Sequence, residues 1–195
     1  MSKVTIGLDI AKSVFHLVFM NQSGRVLRKK KLRRHQMLSY FSQLEPCIVV
    51  MEACGSCHYW CRELTKAGHE VKAIAPQYVV AYRKGNKHDY NDAEAIAEAS
   101  QREGMRFVPF KSQDQQDIQL MHRIRERMIA QQTALSNQIR GLLSEYGIVY
   151  ARGVATLVKE LPLTLEEADN GLSMLARRQF QGLLNDLREL REHIK

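Results

Sequence analysis

Val4-Thr5-Ile6-Gly7-Leu8-Asp9 decides how the rest of the chain is read. Val4, Ile6, Leu8 and Ile10 alternate with Thr5, Gly7 and Asp9. That period of two predicts a strand with Asp9 on the face opposite Leu8. Val14–Met20 is rich in β-formers and predicts a second strand. Asn21-Gln22-Ser23-Gly24 supplies turn chemistry, so Arg25–Arg34 becomes the third strand of an antiparallel meander. This strand carries Arg25, Arg28, Lys29, Lys30, Lys31, Arg33 and Arg34, with only Val26, Leu27 and Leu32 to bury. It reads either as a solvated edge guarded against edge-to-edge pairing or as a strip for phosphates.

Further along, His35–Leu44 predicts a short amphipathic helix. Cys47–Met51 is an unbroken apolar run that suits a fully buried strand, and it ends at Glu52. A helix starts at Gly55 and Ser56, keeps Trp60, Cys61 and Leu64 on one stripe, and stops at Gly68. Val71–Ala75 is the next strand, so this segment reads as a parallel βαβ unit. Gln77–Lys84 looks helical, residues 85–88 form a loop, and a helix runs from about Asn91 to Glu103 before an extended piece at Met105–Phe110.

From Ser112 the composition turns to Gln, Arg and Met. Ile118, Met121, Ile124, Met128, Leu135, Ile139, Leu142 and Tyr146 step mostly by three and four, with Gln131 at an interior position. This predicts one long helix with a coiled-coil-like seam and a dimer through residues 112–146 or 171–194. The same seams could instead fold back on one another within one chain. A shorter helix is expected over Val149–Leu161, before Pro162, and a last one from Gly171. That last pattern runs to Lys195 without a cap, which suggests a truncation or a linker to an absent domain. The expected division is an α/β domain over 1–110 and a helical region over 111–195.

The 195 residues hold 29 Lys and Arg against 21 Asp and Glu, an excess of eight positive charges. A polyanionic partner follows, nucleic acid first, beside the plainer reading of a generally basic protein. No apolar run reaches transmembrane length, and Met1-Ser2-Lys3 leads into a poor signal peptide. No membrane association is expected, and a cytoplasmic location follows, with the four cysteines as reduced thiols. Cys54-Gly55-Ser56-Cys57-His58 matches the haem-attachment spacing, and Cys57, Cys61 and His58 could hold zinc. Free thiols are the default for them.

The acids carry the chemistry. Asp9 and Glu52 each close a strand, and ligands gather at the carboxyl ends of strands in open α/β sheets. Asp89 and Asp92 are three apart at a helix start and share a face. Four such carboxylates suit Mg²⁺ or Mn²⁺, and a pair of ions would relieve their repulsion and clamp a phosphodiester during in-line displacement. Each acid also has a plainer reading: a solvent-facing strand residue for Asp9, an N-cap for Asp89, a first-turn acid for Asp92. Asn91 with Glu94 resembles a capping box. Glu52, directly after five apolar residues, needs a partner or a metal.

Gly7-Leu8-Asp9-Ile10-Ala11-Lys12, Met51-Glu52-Ala53-Cys54-Gly55-Ser56 and Lys87-His88-Asp89-Tyr90-Asn91-Asp92-Ala93-Glu94-Ala95-Ile96-Ala97 resemble the three signature blocks of the DEDD-type insertion-sequence transposases. These are relatives of the pilin-gene invertases, known as bridge-RNA-guided recombinases. The resemblance covers roughly residues 3–150. It implies a RuvC-like, ribonuclease-H-like fold, Asp9, Glu52, Asp89 and Asp92 as metal ligands, and a dimerising coiled coil after Ser112. It also implies DNA and a structured non-coding guide RNA as partners, a nucleoid-bound state when on DNA, and a further domain carrying a serine that links to DNA. The sequence departs from the pattern at His88, where Thr is usual, and at Cys54 and Cys57, where Thr and Tyr are usual. Candidate phosphate contacts are Lys12, Lys84, Lys87 and the Arg25–Arg34 strip. The competing readings are a non-catalytic nucleic-acid-binding module that dimerises, and a sugar-kinase or actin-like ATPase. Ile10-Ala11-Lys12-Ser13 lacks the Gly and Thr which the ATPase class requires after its first Asp.

Overall fold

A computed structural model describes residues 3–83 and 89–195. The chain divides into two compact units, Met1–Asp114 and Gln115–Lys195. The first is a six-stranded mixed sheet in the order β3-β2-β1-β4-β5-β6. Its strands are β1 Thr5–Asp9, β2 Val14–Met20, β3 Val26–Arg33, β4 Ile48–Glu52, β5 Glu70–Ile74 and β6 Phe107–Val108. β1, β2 and β3 form the antiparallel meander, β4 and β5 add in parallel to β1, and β6 returns antiparallel. With helices on both faces, this is a ribonuclease-H-like α/β fold.

One face packs on α1 (Met37–Phe41) and α2 (Cys57–Lys66). Phe15, Leu17, Met37, Phe41, Trp60 and Leu64 fill that core, with Leu8 and Met51 from the central strands. The other face packs on α4, Asp89–Ser100, through Val50, Ile74, Ala95, Ile96 and Ala99. Small residues on α4 are what a helix needs to lie close on a sheet. β4 is buried from both sides, as its unbroken apolar run requires.

Several boundaries differ from those expected. The segment after Ala75 is a single turn, α3 (Pro76–Val79), followed by a 3-10 turn over Val80–Tyr82. α4 takes in Asp89–Ser100, so Asn91 lies inside the helix rather than at the expected start. α5 covers Gln113–Ser144, α6 Val154–Glu166 and α7 Met174–Ile194. α6 starts later than the expected Val149 and runs through Pro162. Pro162 removes one backbone donor, but Leu157, Leu161 and Leu165 all pack in the helical core, and that burial outweighs one lost bond. α7 starts beyond Gly171, where the Ser173 hydroxyl accepts from the Ala176 N–H at 3.1 Å.

In the second unit, Ile139 and Leu143 of α5, Leu157 and Leu161 of α6, and Phe180, Leu184 and Leu187 of α7 form one core. The earlier part of the α5 seam is different: Ile118, Met121 and Ile124 are exposed. The seam is therefore consumed within the chain only at its carboxyl end. Among the described residues no helix is long and apolar enough to cross a membrane.

Candidate metal centre

Gly7 pairs with Val50, and Leu8 with Met51, across the parallel strands β1 and β4. Asp9 and Glu52, one step further, therefore emerge together at the carboxyl end of the sheet, on the face covered by α4. Gly7 is what lets α4 come down onto that face. A Cβ at Gly7 would lie 2.0 Å from the Ala93 carbonyl oxygen and 2.8 Å from both the nitrogen and Cβ of Ala97. The first turn of α4 carries Asp89 and Asp92, so this close approach delivers both acids to Asp9.

The electrostatics record the convergence. The Asp9 carboxyl is pushed up to about 6, first by burial and then by the charges of Asp92, Asp89 and Glu52, with Arg83 opposing. All three partner acids are close enough to disfavour its charge. They do not, however, form one symmetric ring. Arg83 follows the 3-10 turn and holds two of them: its Nε lies 2.9 Å from Asp92 Oδ1 and its Nη2 lies 3.5 Å from Glu52 Oε2. The Asp92 contact is an ion pair without hydrogen-bond alignment, so among the described residues this buried oxygen has no hydrogen-bond donor.

The other two acids gather around a residue that the sequence reading did not single out. His16 stands opposite Asp9 in the antiparallel register of β1 and β2. It is buried, and its Nδ1 lies 3.4 Å from Asp89 Oδ2. Asp9, His16 and Asp89 each offer one ligand atom, all within 4.8 Å of one another. The predicted quartet thus shares a cleft but divides into Asp9 with Asp89 beside His16, and Glu52 with Asp92 beneath Arg83. Oxygen donors dominate the set, and with an unmet buried carboxylate oxygen they fit a hard divalent cation.

The basic strip splits by strand alternation. Lys29, Lys31 and Arg33 face the α4 side and sit opposite Val18, His16 and Val14 of β2. Lys29 is paired with Glu94 at 2.9 Å, while Lys31 and Arg33 are exposed. On the other face, the Arg28 guanidinium lies 3.9 Å from the Phe19 ring centre and the Lys30 amine 4.4 Å from that of Tyr40. Arg25, Lys12 and Arg34 are exposed, with Arg34 donating to the Lys12 carbonyl at 3.4 Å. Lys84, Lys87 and His88 lie outside the described residues.

The cysteine-rich segment goes elsewhere. Cys57 and Cys61 are buried free thiols 3.7 Å apart, with Cys61 against the Met51 sulfur, and the contact with Cys61, then burial, raises Cys57 above the ordinary thiol range. His58 accepts from the Lys111 N–H at 3.2 Å, and burial with the Lys111 and Arg62 charges lowers its basicity. Among the described residues these groups form no metal cluster of three.

A family model described as a transposase, of the DEDD kind found in IS110 elements, matches residues 6–148. The chain belongs to this DEDD transposase family. The matched segment takes in Asp9, Glu52, Asp89 and Asp92. The chain is also 52% identical over 147 residues to a Pseudomonas aeruginosa protein named "Probable family 20 transposase", covering 75% of this chain and 44% of that one. It is 43% identical over 182 residues to the transposase for insertion sequence element IS1111A of Coxiella burnetii, covering 93% and 50%. With the transposase for insertion sequence element IS1328 of Yersinia enterocolitica it shares 39% over 162 residues, covering 83% and 48%. The chain spans about half the length of the curated relatives it matches. For this DEDD transposase chain the acid cleft, shaped by Gly7 and α4, lies within the segment that the family model matches.

Proposed function

We propose that the unit over 1–110 is the divalent-metal-dependent phosphoryl-transfer domain of a DNA transposase, and that 111–195 is its dimerising helical region. The observation that carries this reading is Asp9, buried beside three other acids arriving from β4 and α4 and pushed up to about 6, first by burial and then by their charges. A fold gains nothing by crowding four carboxylates at one sheet end, and a cation makes the crowding favourable. Asp9, Glu52, Asp89 and Asp92 would hold Mg²⁺ or Mn²⁺. When bound, the cation supplies charge stabilisation to the attacking and leaving oxygens of a phosphodiester.

The chain's own residues do the rest. With a cation held by Glu52 and Asp92, Arg83 would be released from them and available to bind a phosphate oxygen. Lys31 and Arg33 on the exposed edge, with Arg25 and Lys12, hold the nucleic-acid backbone and set its register without reading sequence. The family resemblance supports a structured RNA as the guide, and the same cations serve an RNA backbone as well as a DNA one. The exposed Ile118, Met121 and Ile124 of α5 support a homodimer.

Calorimetric titration with Mn²⁺ tests the metal reading. Binding in the wild type that disappears in Asp9→Asn is expected; heat that is unchanged by the substitution overturns it.

A further inference from the structure

Among the described residues, the site contains one ligand-forming side chain that is not an acid. His16 comes from the middle of the meander, directly opposite Asp9, and is only 6% exposed. Its ring is fixed by packing: Tyr90 of α4 stands edge-on to it at 4.7 Å between ring centres and 77° between planes. Its Nδ1 points at the Asp89 carboxylate, 3.4 Å away. A buried imidazole held at this angle between two carboxylates has little freedom to turn elsewhere.

We infer that His16 is a nitrogen ligand of the divalent cation, sharing one ion with Asp9 and Asp89. This rests on the metal reading above and deepens it. An ion about 2.1 Å from each ligand needs ligand atoms roughly 3.0–4.2 Å apart. The three atoms already lie within 4.8 Å of one another, so sub-ångström adjustments close the site. Two carboxylates and a neutral imidazole balance a dication, and Tyr90 keeps the ring oriented as supporting contacts do in other histidine sites.

The nitrogen has a consequence for metal choice. An all-oxygen site suits Mg²⁺, whereas imidazole favours the softer transition ions. His16 therefore tilts this site towards Mn²⁺ over Mg²⁺. The competing role for His16 is a charged partner of Asp89 that never touches the ion.

Pulsed electron paramagnetic resonance on the full chain loaded with Mn²⁺ alone separates these roles. The inference expects ¹⁴N modulation of the Mn²⁺ signal, converted to the ¹⁵N pattern when the protein carries ¹⁵N-histidine. The coupling is expected to vanish in His16→Gln and to survive His88→Gln, whose ring neighbours Asp89 in sequence. His16→Gln should also weaken Mn²⁺ binding about tenfold while changing Mg²⁺ binding by less than about threefold. The labelled wild type and His88→Gln keep the test decisive even if His16→Gln does not fold. Mn²⁺ bound without histidine coupling, or with coupling lost in His88→Gln, overturns the inference and leaves the metal reading standing. Failure of Mn²⁺ to bind at all overturns both.

Discussion

Gly7 of β1 and Ala93 of α4 are in direct backbone contact, so close that a Cβ on Gly7 would sit 2.0 Å from the Ala93 carbonyl oxygen. No rotamer change relieves such a clash, because the obstacle is the helix backbone. Gly7→Ala must push α4 off the sheet, and with it Asp89 and Asp92. Overpacking of this kind costs upwards of about 3 kcal/mol. Chemical denaturation should show that loss, and any folded protein should bind Mn²⁺ poorly. Stability within about 0.5 kcal/mol of wild type would show that the helix does not rest on Gly7.

Asp9 gives a pH prediction whose sign is fixed. Its carboxyl is raised from 3.8 to about 6 in the folded chain, mainly by burial and then by Asp92, Asp89 and Glu52. The folded state therefore holds this proton more tightly than the unfolded state. The associated stability is fully present below pH 3.8 and is lost as pH rises through about 6. Asp9→Asn should thus stabilise the metal-free protein above pH 6. The gain is up to about 1–2 kcal/mol once solvent screening at this half-exposed group is allowed for. The advantage should fade as pH falls towards 4 and reverse with excess Mn²⁺, which stabilises only the wild type. Melting curves across pH check this; an Asp9→Asn protein less stable at pH 8 without metal would contradict it.

Arg83 pairs with both Glu52 and Asp92 in the metal-free protein and offsets part of their charge. Arg83→Gln leaves those carboxylates without their cation and should lower metal-free stability by about 1–3 kcal/mol. The same change removes a competitor, so Mn²⁺ should bind several-fold more tightly, as read by calorimetry. Unchanged or weaker binding would mean that Arg83 does not occupy the cation's place.

The edge strand offers an internal control. Lys31 and Arg33 are exposed, whereas Lys29 is paired with Glu94. Removing Lys31 and Arg33 together should weaken DNA binding and reduce the salt dependence of log affinity by about two. Lys29→Ala should do less. Equal effects from all three lysine and arginine positions would point to general charge rather than a backbone track.

On α5, Met121→Glu with Ile124→Glu should convert a dimer to a monomer in sedimentation at tens of micromolar. A wild type that is already monomeric there would contradict dimerisation through this seam.

Much of the fold could be read from the chain because its signals are local. Alternation marked β1, the unbroken apolar run marked β4, and each ended in an acid. What escaped was whatever depends on register or approach. His16 looks like one of several scattered histidines until β1 and β2 pair it with Asp9. Arg83 sits beyond a turn that periodicity read as a longer helix, and nothing in its neighbours signals Glu52 or Asp92. Gly7 reads as a weak strand residue, and only the helix above it explains why no side chain fits. Pro162 misled for a related reason: local chemistry ends a helix there, and the packing of Leu157, Leu161 and Leu165 carries it through.

The central claim is that carboxylates from β1, β4 and α4 converge to hold a divalent cation. A crystal soaked in Mn²⁺ and measured at the manganese absorption edge tests it most directly. The account predicts an anomalous peak about 2.0–2.3 Å from oxygens of Asp9 and at least one of Glu52, Asp89 and Asp92, with Arg83 displaced. A crystal saturated with Mn²⁺ that shows no peak there, with Arg83 still bridging Glu52 and Asp92, would contradict it.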